Sequence, residues 1–411
     1  MMCKLKNSDN MTIFYVIWVA FSYLVALHWS IISTFVLIGF IGSLFYKNDV
    51  PKEETKAKNV ELVIVSKASS SVHGVLFNCI DYHAKKYHDY KIDVVIDKGS
   101  ELENKLDLYI KQYPNVSLRI VPDSFKAKAI AKGRAIHHHI LNRVHQDKWY
   151  VFIDDDNMIM DDRFLYEIKY YDKKGYVAAN GILKPRYSGN PITYVADFLR
   201  YVDDLTLFRF LTGVIGRPLN GFHGELMIIK GSVLRKIGFD RMTVTEDFAF
   251  ARELDKYEHK VWQSSTLTTI LSPHTISDFI KQRNRWHRGI SKDVQDGTIA
   301  MKLIAGVRAV DLFVAIVGSW VIFPIWFFMP IPLWWAAFNI IGAGYYIITY
   351  IYGSTRLIGK TRYWFLYMFL IPLYSVMETV VPHYRPKDNG FNVIHKDNGW
   401  RGTHHNEMQN T

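Results

Sequence analysis

The sequence predicts an α/β domain, a parallel sheet with helices on both faces, framed by transmembrane helices at each end. Three observations predict it. Hydrophobic residues make up 49% of the 411-residue chain, yet the long apolar runs gather in 12–46 and 310–381, and 51–300 has the mixed, charged composition of a globular domain. Within that middle part, short β-branched runs alternate with helical stretches, as strands joined by crossover helices do. One such strand, Trp149 to Ile153, stops at three consecutive carboxylates, Asp154, Asp155 and Asp156. Ligands in sheets of this kind bind beyond the carboxyl ends of the strands. Adjacent acids there repel one another unless a cation sits among them. Oxygen ligands suit Mg²⁺ or Mn²⁺, and a metal held by one or two carboxylates shares its remaining sites with phosphate and water. The run therefore predicts a metal–phosphate site, with a solvated acidic turn as the bland alternative.

Taken in order, the chain opens with TIFYVIWVAFSYLVAL (12–27) and IISTFVLIGFIGSLFY (31–46). Each is a little short of the roughly 20 residues that span a bilayer, and the two are expected to form a tight hairpin within 1–50. No small-residue cleavage site separates them, so a cleavable signal peptide is not expected. Lys47, Lys52, Lys56 and Lys58 follow, which by the positive-inside rule places the domain of 51–270 in the cytoplasm. The net charge of +11 fits an anionic membrane leaflet or an anionic donor, and nucleic acid is not the expected partner. Cys3 and Cys79 are too few and too distant for a disulfide framework, which suits a reducing compartment.

Strands are expected at 60–66, 91–97 and 117–121, with a helix through about 88 between the first two. Asp97 closes the second strand, where a carboxylate can accept hydrogen bonds from a base edge or a ribose hydroxyl. The stretch 125–141 predicts a helix with Lys126, Lys128, Lys132 and Arg134 in its first turns. Cations there oppose the helix dipole and point to an anionic ligand such as pyrophosphate. His137–His139 is read as partly buried helix, because adjacent helical residues point in different directions. After a strand at 177–187 and a helix through Phe210, Gly221 and Gly224 straddle Phe222 and His223, permitting close backbone approach to a ligand. Glu246 and Asp247 open a helix, as caps or, near the first acid cluster, as a general base on an acceptor hydroxyl. Residues 271–300 begin with an amphipathic helix carrying Gln282, Arg283, Arg285, Trp286 and Arg288, expected at the lipid interface. The region 301–385 holds apolar runs at 310–329, 331–352 and 364–381. Pro372 and Glu378 interrupt the last, and a re-entrant segment there would keep the tail of 386–411 cytoplasmic.

This ordered set resembles the membrane-integrated branch of glycosyltransferase family 2, which includes cellulose, chitin and hyaluronan synthases and ceramide glucosyltransferase. Asp97 stands where the family's D-D-G-S pattern has a base-binding aspartate, and Asp154 and Asp156 match D-x-D, the second as the direct metal ligand. Thr245-Glu246-Asp247 matches T-E-D, whose aspartate is the catalytic base. Gln282, Arg285 and Trp286 complete Q-x-x-R-W, in which Arg contacts the donor phosphates and Trp borders the acceptor sugar. Within the family the nearest likeness is to egghead-type β-1,4-mannosyltransferases, through AIAKGRAI, TEDFAFARE and SPHTISDFIKQRNRW. The usual P-x-Y-N-E after the first strand is replaced by Ser66-Lys67-Ala68-Ser69. FNVIHKD (391–397) looks like the F-x-V-T-x-K gating loop, with Phe391, Val393 and Lys396 retained.

The resemblance implies a GT-A fold and a Mg²⁺- or Mn²⁺-dependent, inverting transfer of a hexose from a UDP- or GDP-sugar to a glycolipid or glycan hydroxyl, giving a β-linkage. Donor contacts are then expected from Asp97, Lys132, Asp154, Gln282, Arg285, Trp286, Phe391 and Lys396, and acceptor contacts from Trp286, Phe222, His223 and Gly224. Processive synthesis of a secreted polysaccharide is the alternative within enzymes. A transporter would carry its charges within the spans, where Asp311 and Glu378 are sparse. A non-catalytic sugar-binding protein would be expected to lose a motif carboxylate, and none is lost.

Overall fold

The computed structural model describes residues 2–48, 55–317, 328–353, 377 and 381. It opens with a single helix, α1 (Met2–Leu44). The expected hairpin is therefore corrected to one element. His28-Trp29-Ser30, between the two runs, holds neither glycine nor proline, so nothing there removes a backbone hydrogen bond or supplies a left-handed residue. Met11–Leu44 is the one helix among the described residues that is long and apolar enough to cross a membrane. Ile13, Phe14, Val16, Ile17 and Leu24 are all exposed along it.

The globular part then runs β1 (Val60–Val65), α2 (His73–Lys86), β2 (Lys91–Asp97), α3 (Glu103–Ile110), β3 (Val116–Val121), α4 (Ala131–Arg143), β4 (Trp149–Asp154), β5 (Met158–Ile159) and α5 (Arg163–Lys174). Next come β6 (Ala178–Arg186), α6 (Pro191–Ala196), α7 (Phe198–Asp203) and a π-helix (Asp204–Val214). The chain continues through β7 (Met227–Lys230), α8 (Gly231–Ile237), α9 (Glu246–Lys256), β8 (Val261–Leu271), α10 (Ile276–Asp293), α11 (Ile299–Val317) and α12 (Leu333–Gly353). Two of the three expected C-terminal runs thus meet α11 and α12, and the third, apart from Met377 and Val381, lies outside the described residues.

The eight strands form one sheet in the order β3-β2-β1-β4-β7-β6-β8-β5. β3, β2, β1 and β4 are parallel, as the alternation of strand and helix requires. β7 runs antiparallel between β4 and β6, so the sheet is mixed rather than wholly parallel. The chain leaves β1 toward β2 and β3, then returns to add β4 on the other side of β1. That reversal opens a crevice at the carboxyl ends of β1 and β4, where Val65 pairs with Asp154.

Alternation along the strands builds two cores, because successive side chains point to opposite faces. Leu62, Ile64, Val94, Val151 and Ile153 pack with α2, α3 and α5. Val63, Val65, Val95, Tyr150 and Phe152 pack with α4, α8 and α9. Each fully buried aliphatic side chain stabilises the domain by about 1.5–3 kcal/mol before entropy is counted. α1 docks on α12 through polar side chains: Ser30 donates to Asn339 Oδ1 at 2.9 Å, Asn339 to the Ala26 carbonyl at 2.9 Å, and the Gly342 N–H to Ser33 Oγ at 3.0 Å. On another face, Gly42 lets α1 lie on Phe210 of the π-helix, since a Cβ there would sit 2.1 Å from the ring.

Behind the acidic strand end, His83 of α2 is fully buried. Its Nδ1 donates to the Cys79 carbonyl at 2.7 Å, and Nε2 accepts the Ile159 N–H at 3.3 Å, which requires a neutral ring. Burial depresses its pKa from 6.5 to about 4. The unfolded chain therefore takes up a proton that the folded chain refuses, and stability falls as pH drops from about 6.5 toward about 4. Thermal unfolding of the full chain should lose stability over this window more steeply than in His83→Gln, which can keep both hydrogen bonds without titrating.

Candidate active site

A cavity of about 1120 Å³ opens at the carboxyl ends of β1, β2 and β4 and extends past α7 and α10 to α11. Asp97, Lys132, Asp154, Asp156, Phe222, His223, Gly224, Glu246, Asp247, Gln282, Arg285 and Trp286 all line it. Phe391 and Lys396 lie outside the described residues.

At one end Asp97 closes β2 and forms an ion pair with Arg134 of α4. That helix starts at Ala131 rather than near 125, so Lys126 and Lys128 precede it. The cause is distant in sequence: Asp240 Oδ1 accepts the backbone N–H groups of Lys128 at 2.6 Å and Ala129 at 3.0 Å, holding the chain out of the helix. Ala131 enters it with φ of 48°, an uncommon value for a residue with a Cβ. Of the expected cations, Lys132 and Arg134 remain in the first turn, and protein carboxylates face both.

The three acids at the end of β4 diverge. Asp154 meets the Lys132 ammonium. Asp155 turns to β1, where Ser66 Oγ donates to its Oδ2 at 2.6 Å. Asp156 is buried, and its carbonyl accepts a hydrogen bond from Arg186 of β6. The segment that replaces P-x-Y-N-E thus serves the architecture, since Ser66 ties the first strand to the acidic turn and also accepts the Ala68 N–H at 2.9 Å.

Opposite these acids, α9 begins with Glu246 and Asp247. Lys132 Nζ lies 3.7 Å from Glu246 and donates to the Gly224 carbonyl at 2.9 Å. The Gly224 N–H in turn donates to Asp247 Oδ2 at 2.8 Å. A Cβ at 224 would stand 3.0 Å from Lys132 Nζ and 3.2 Å from Asp247 Oδ2, so a side chain larger than hydrogen would crowd both. His223 Nε2 and Asp204 Oδ1 are 2.6 Å apart, which fixes this loop to the π-helix. Burial, then the charges of Glu246 and Glu225, push Asp247 up to about 6, with Lys132 opposing. Burial would lower the Lys132 pKa, but Asp154 and Glu246 more than offset it and keep the ammonium charged.

Thr275 caps α10, its Oγ1 accepting the Asp278 N–H at 3.0 Å. Gln282 Oε1 is buried with no hydrogen-bond partner among the described residues. Trp286 differs from the expected bare apolar face, because the guanidiniums of Arg200 and Arg283 lie over its ring at 4.7 and 4.4 Å. Arg200, Glu225 and Asp204 also line or floor this region, and sequence reading missed all three. They are single charged residues without a motif, brought together by long-range packing.

Asp154 and Asp156 put hard oxygen donors on the cavity wall, and the buried Oδ1 of Asn157 beside them has no hydrogen-bond partner among the described residues. No three His, Cys, Asp or Glu side chains among the described residues form a metal site by themselves. This donor set fits Mg²⁺ or Mn²⁺ sharing its coordination with phosphate, not an all-protein cage. Removing the lysine cation takes away the charge that Asp154 and Glu246 both face. Lys132→Met should lose about 3 kcal/mol of stability. Mn²⁺ should then raise the melting temperature of the variant more than that of the parent, in calorimetry of the full chain.

Likeness to known proteins agrees with this geometry. The model of the family described as glycosyl transferase family group 2 matches residues 149–377. The β-1,4-mannosyltransferase egh of Drosophila melanogaster is 24% identical over 249 residues, covering 58% of this chain and 51% of that protein. The poly-β-1,6-N-acetyl-D-glucosamine synthase of Staphylococcus epidermidis is 24% identical over 237 residues, covering 56% and 47%. The chain thus spans about half the length of the curated relatives it matches. Among solved structures, the mannosyltransferase PcManGT from Pyrobaculum calidifontis, in complex with GDP-Man and Mn²⁺, shares the fold at a TM-score of 0.53 and 13% identity, covering 89% of this chain and 99% of that one. With the family model matching more than half of its length, from the acidic strand through the Q-x-x-R-W helix and beyond, the chain belongs to glycosyl transferase family group 2.

Proposed function

We propose that the chain is an inverting hexosyltransferase that moves a sugar from a nucleotide sugar to a hydroxyl of a lipid-linked glycan, forming a β-linkage at a membrane. The observation that carries this is the meeting, in one cavity, of the Asp154 and Asp156 carboxylates, Asp247 with its pKa raised by burial to about 6, and the helix of Gln282, Arg285 and Trp286. The mannosyltransferases among the relatives favour mannose as the sugar. Reading α11 as the entry to the C-terminal apolar region, extension of the cavity to its Lys302, Ala305 and Gly306 favours an acceptor arriving from that side over one supplied from solution.

Asp97 receives the nucleoside at the end of β2. A divalent cation, held by Asp156 and Asp154, would neutralise charge on the diphosphate. Lys132 must then leave Asp154 or share it. Arg285 of α10 faces the departing phosphate as a bidentate cation. Asp247, oriented by the Gly224 N–H, takes the proton of the acceptor hydroxyl. That oxygen attacks the anomeric carbon from the side opposite the phosphate, the carbon–phosphate-oxygen bond breaks, and an α-linked donor yields a β-product.

The purified full chain in nanodiscs, offered UDP- and GDP-linked hexoses with Mn²⁺, should release nucleotide in a glycolipid-dependent manner. Asp247→Asn should lower turnover by about 10²–10⁴-fold, and EDTA or Asp156→Ala should abolish it. Because Asp247 acts ionised, kcat/KM should rise with pH through an inflexion at about 6. Absence of turnover with every nucleotide sugar, or full activity in Asp247→Asn, would refute the assignment.

A further inference from the structure

Beside the base lies an ion pair for which neither the motifs nor the transfer step above has a use. Arg200 of α7 donates to Glu225 Oε1 at 2.5 Å, and each side chain is only 14% exposed. That is the only hydrogen bond of the Arg200 guanidinium among the described residues, although the group has five N–H donors in a fixed plane. Both residues line the cavity. Holding such a pair away from water costs several kcal/mol per ion, and an apolar pair would join α7 to the 222–225 loop without that cost.

Position indicates what the pair can meet. Glu225 follows Gly224, whose N–H holds Asp247 at 2.8 Å. The guanidinium lies over the Trp286 ring, and on its other flank α7 leads into the π-helix that carries Asp204, the partner of His223. Asp247, Glu225 and Arg200 line the same cavity, so a sugar whose hydroxyl reaches Asp247 can set its ring against Glu225 and Arg200. A planar donor fork beside a carboxylate acceptor complements two neighbouring hydroxyls, each of which both donates and accepts.

We propose that Arg200 and Glu225 form a subsite for the terminal hexose of the acceptor, binding two adjacent ring hydroxyls, with Trp286 as the platform that positions the guanidinium. The inference rests on the transferase reading and adds to it the part of the acceptor that is recognised. It also accounts for one of the two cations over Trp286: the ring acts on the sugar through Arg200.

The test uses the full chain in nanodiscs with Mn²⁺ and the nucleotide sugar it turns over. Octyl β-D-glucoside, β-D-mannoside and β-D-N-acetylglucosaminide serve as acceptors, followed by the monodeoxy forms of the one that is used. In the parent protein, loss of either of two adjacent hydroxyls should raise the acceptor KM about tenfold or more. In Glu225→Gln the same deletions should cost less than about threefold, while the donor KM moves less than about twofold. Arg200→Lys, which keeps the charge but not the fork, is read in the same way and serves if Glu225→Gln does not fold. A full deoxy penalty in both variants, an equal rise of donor and acceptor KM, or donor turnover that no glycoside in the panel accelerates would overturn the subsite and leave the transferase reading standing. Failure to turn over any nucleotide sugar would overturn both.

Discussion

One ammonium among three carboxylates is the constraint on which the site depends. Lys132 comes from the first turn of α4, Asp154 from the end of β4, and Glu246 and Asp247 from the start of α9. Charges in such a low-dielectric place interact far more strongly than they would in water. The arrangement is therefore stable only while cations compensate the acids, and a divalent cation entering with a diphosphate brings its own counter-charge. Burial, with the charges of Glu246 and Glu225, raises the Asp247 pKa to about 6 while Lys132 opposes it.

The fold brings these groups together through its topology. Reversal of strand order at β1 opens the crevice, and Ser66 closes its floor by holding Asp155. Asp155 is thereby tied to the first strand, while it lines the cavity together with Asp154 and Asp156. On the far side, Asp293 of α10 accepts from Thr243 at the entrance to α9 and, at 2.8 Å, from Thr245, its N-cap. This fixes the helix that carries Asp247 to the helix that carries Gln282, Arg285 and Trp286. α1 braces the π-helix, whose Asp204 holds His223, so the long apolar helix supports this loop of the cavity.

Features with local causes were legible in the sequence. The strands at 60–65, 91–97 and 149–154 follow from short apolar runs, and the start of α9 from Thr245 followed by two acids. Features with distant causes were not. Nothing in KAKAIAK reveals that Asp240 will hold those residues out of α4. β7 looks like any buried strand, and only its partners β4 and β6 set it antiparallel. The continuity of α1 was obscured by dividing one long apolar segment at His28, where no residue breaks a helix. Arg200 and Glu225 carry no local signature, because their pairing depends on α7 meeting a loop 25 residues away in sequence.

On the proposed function, β2, β4 and α4 would carry the metal and diphosphate, α7 and the 222–225 loop would carry the acceptor, and α10 would serve both, with Asp247 between them. The central claim is that one nucleotide diphosphate occupies the part of the cavity at β2, β4 and α4. A structure of the full chain with Mn²⁺ and a nucleoside diphosphate, with manganese located by anomalous scattering, tests this most directly. Manganese is expected on Asp156 and Asp154, the base near Asp97, and the diphosphate facing Arg285 with Lys132 moved from its present place on Asp154. Nucleotide bound outside this cavity, or manganese away from Asp156, would contradict it.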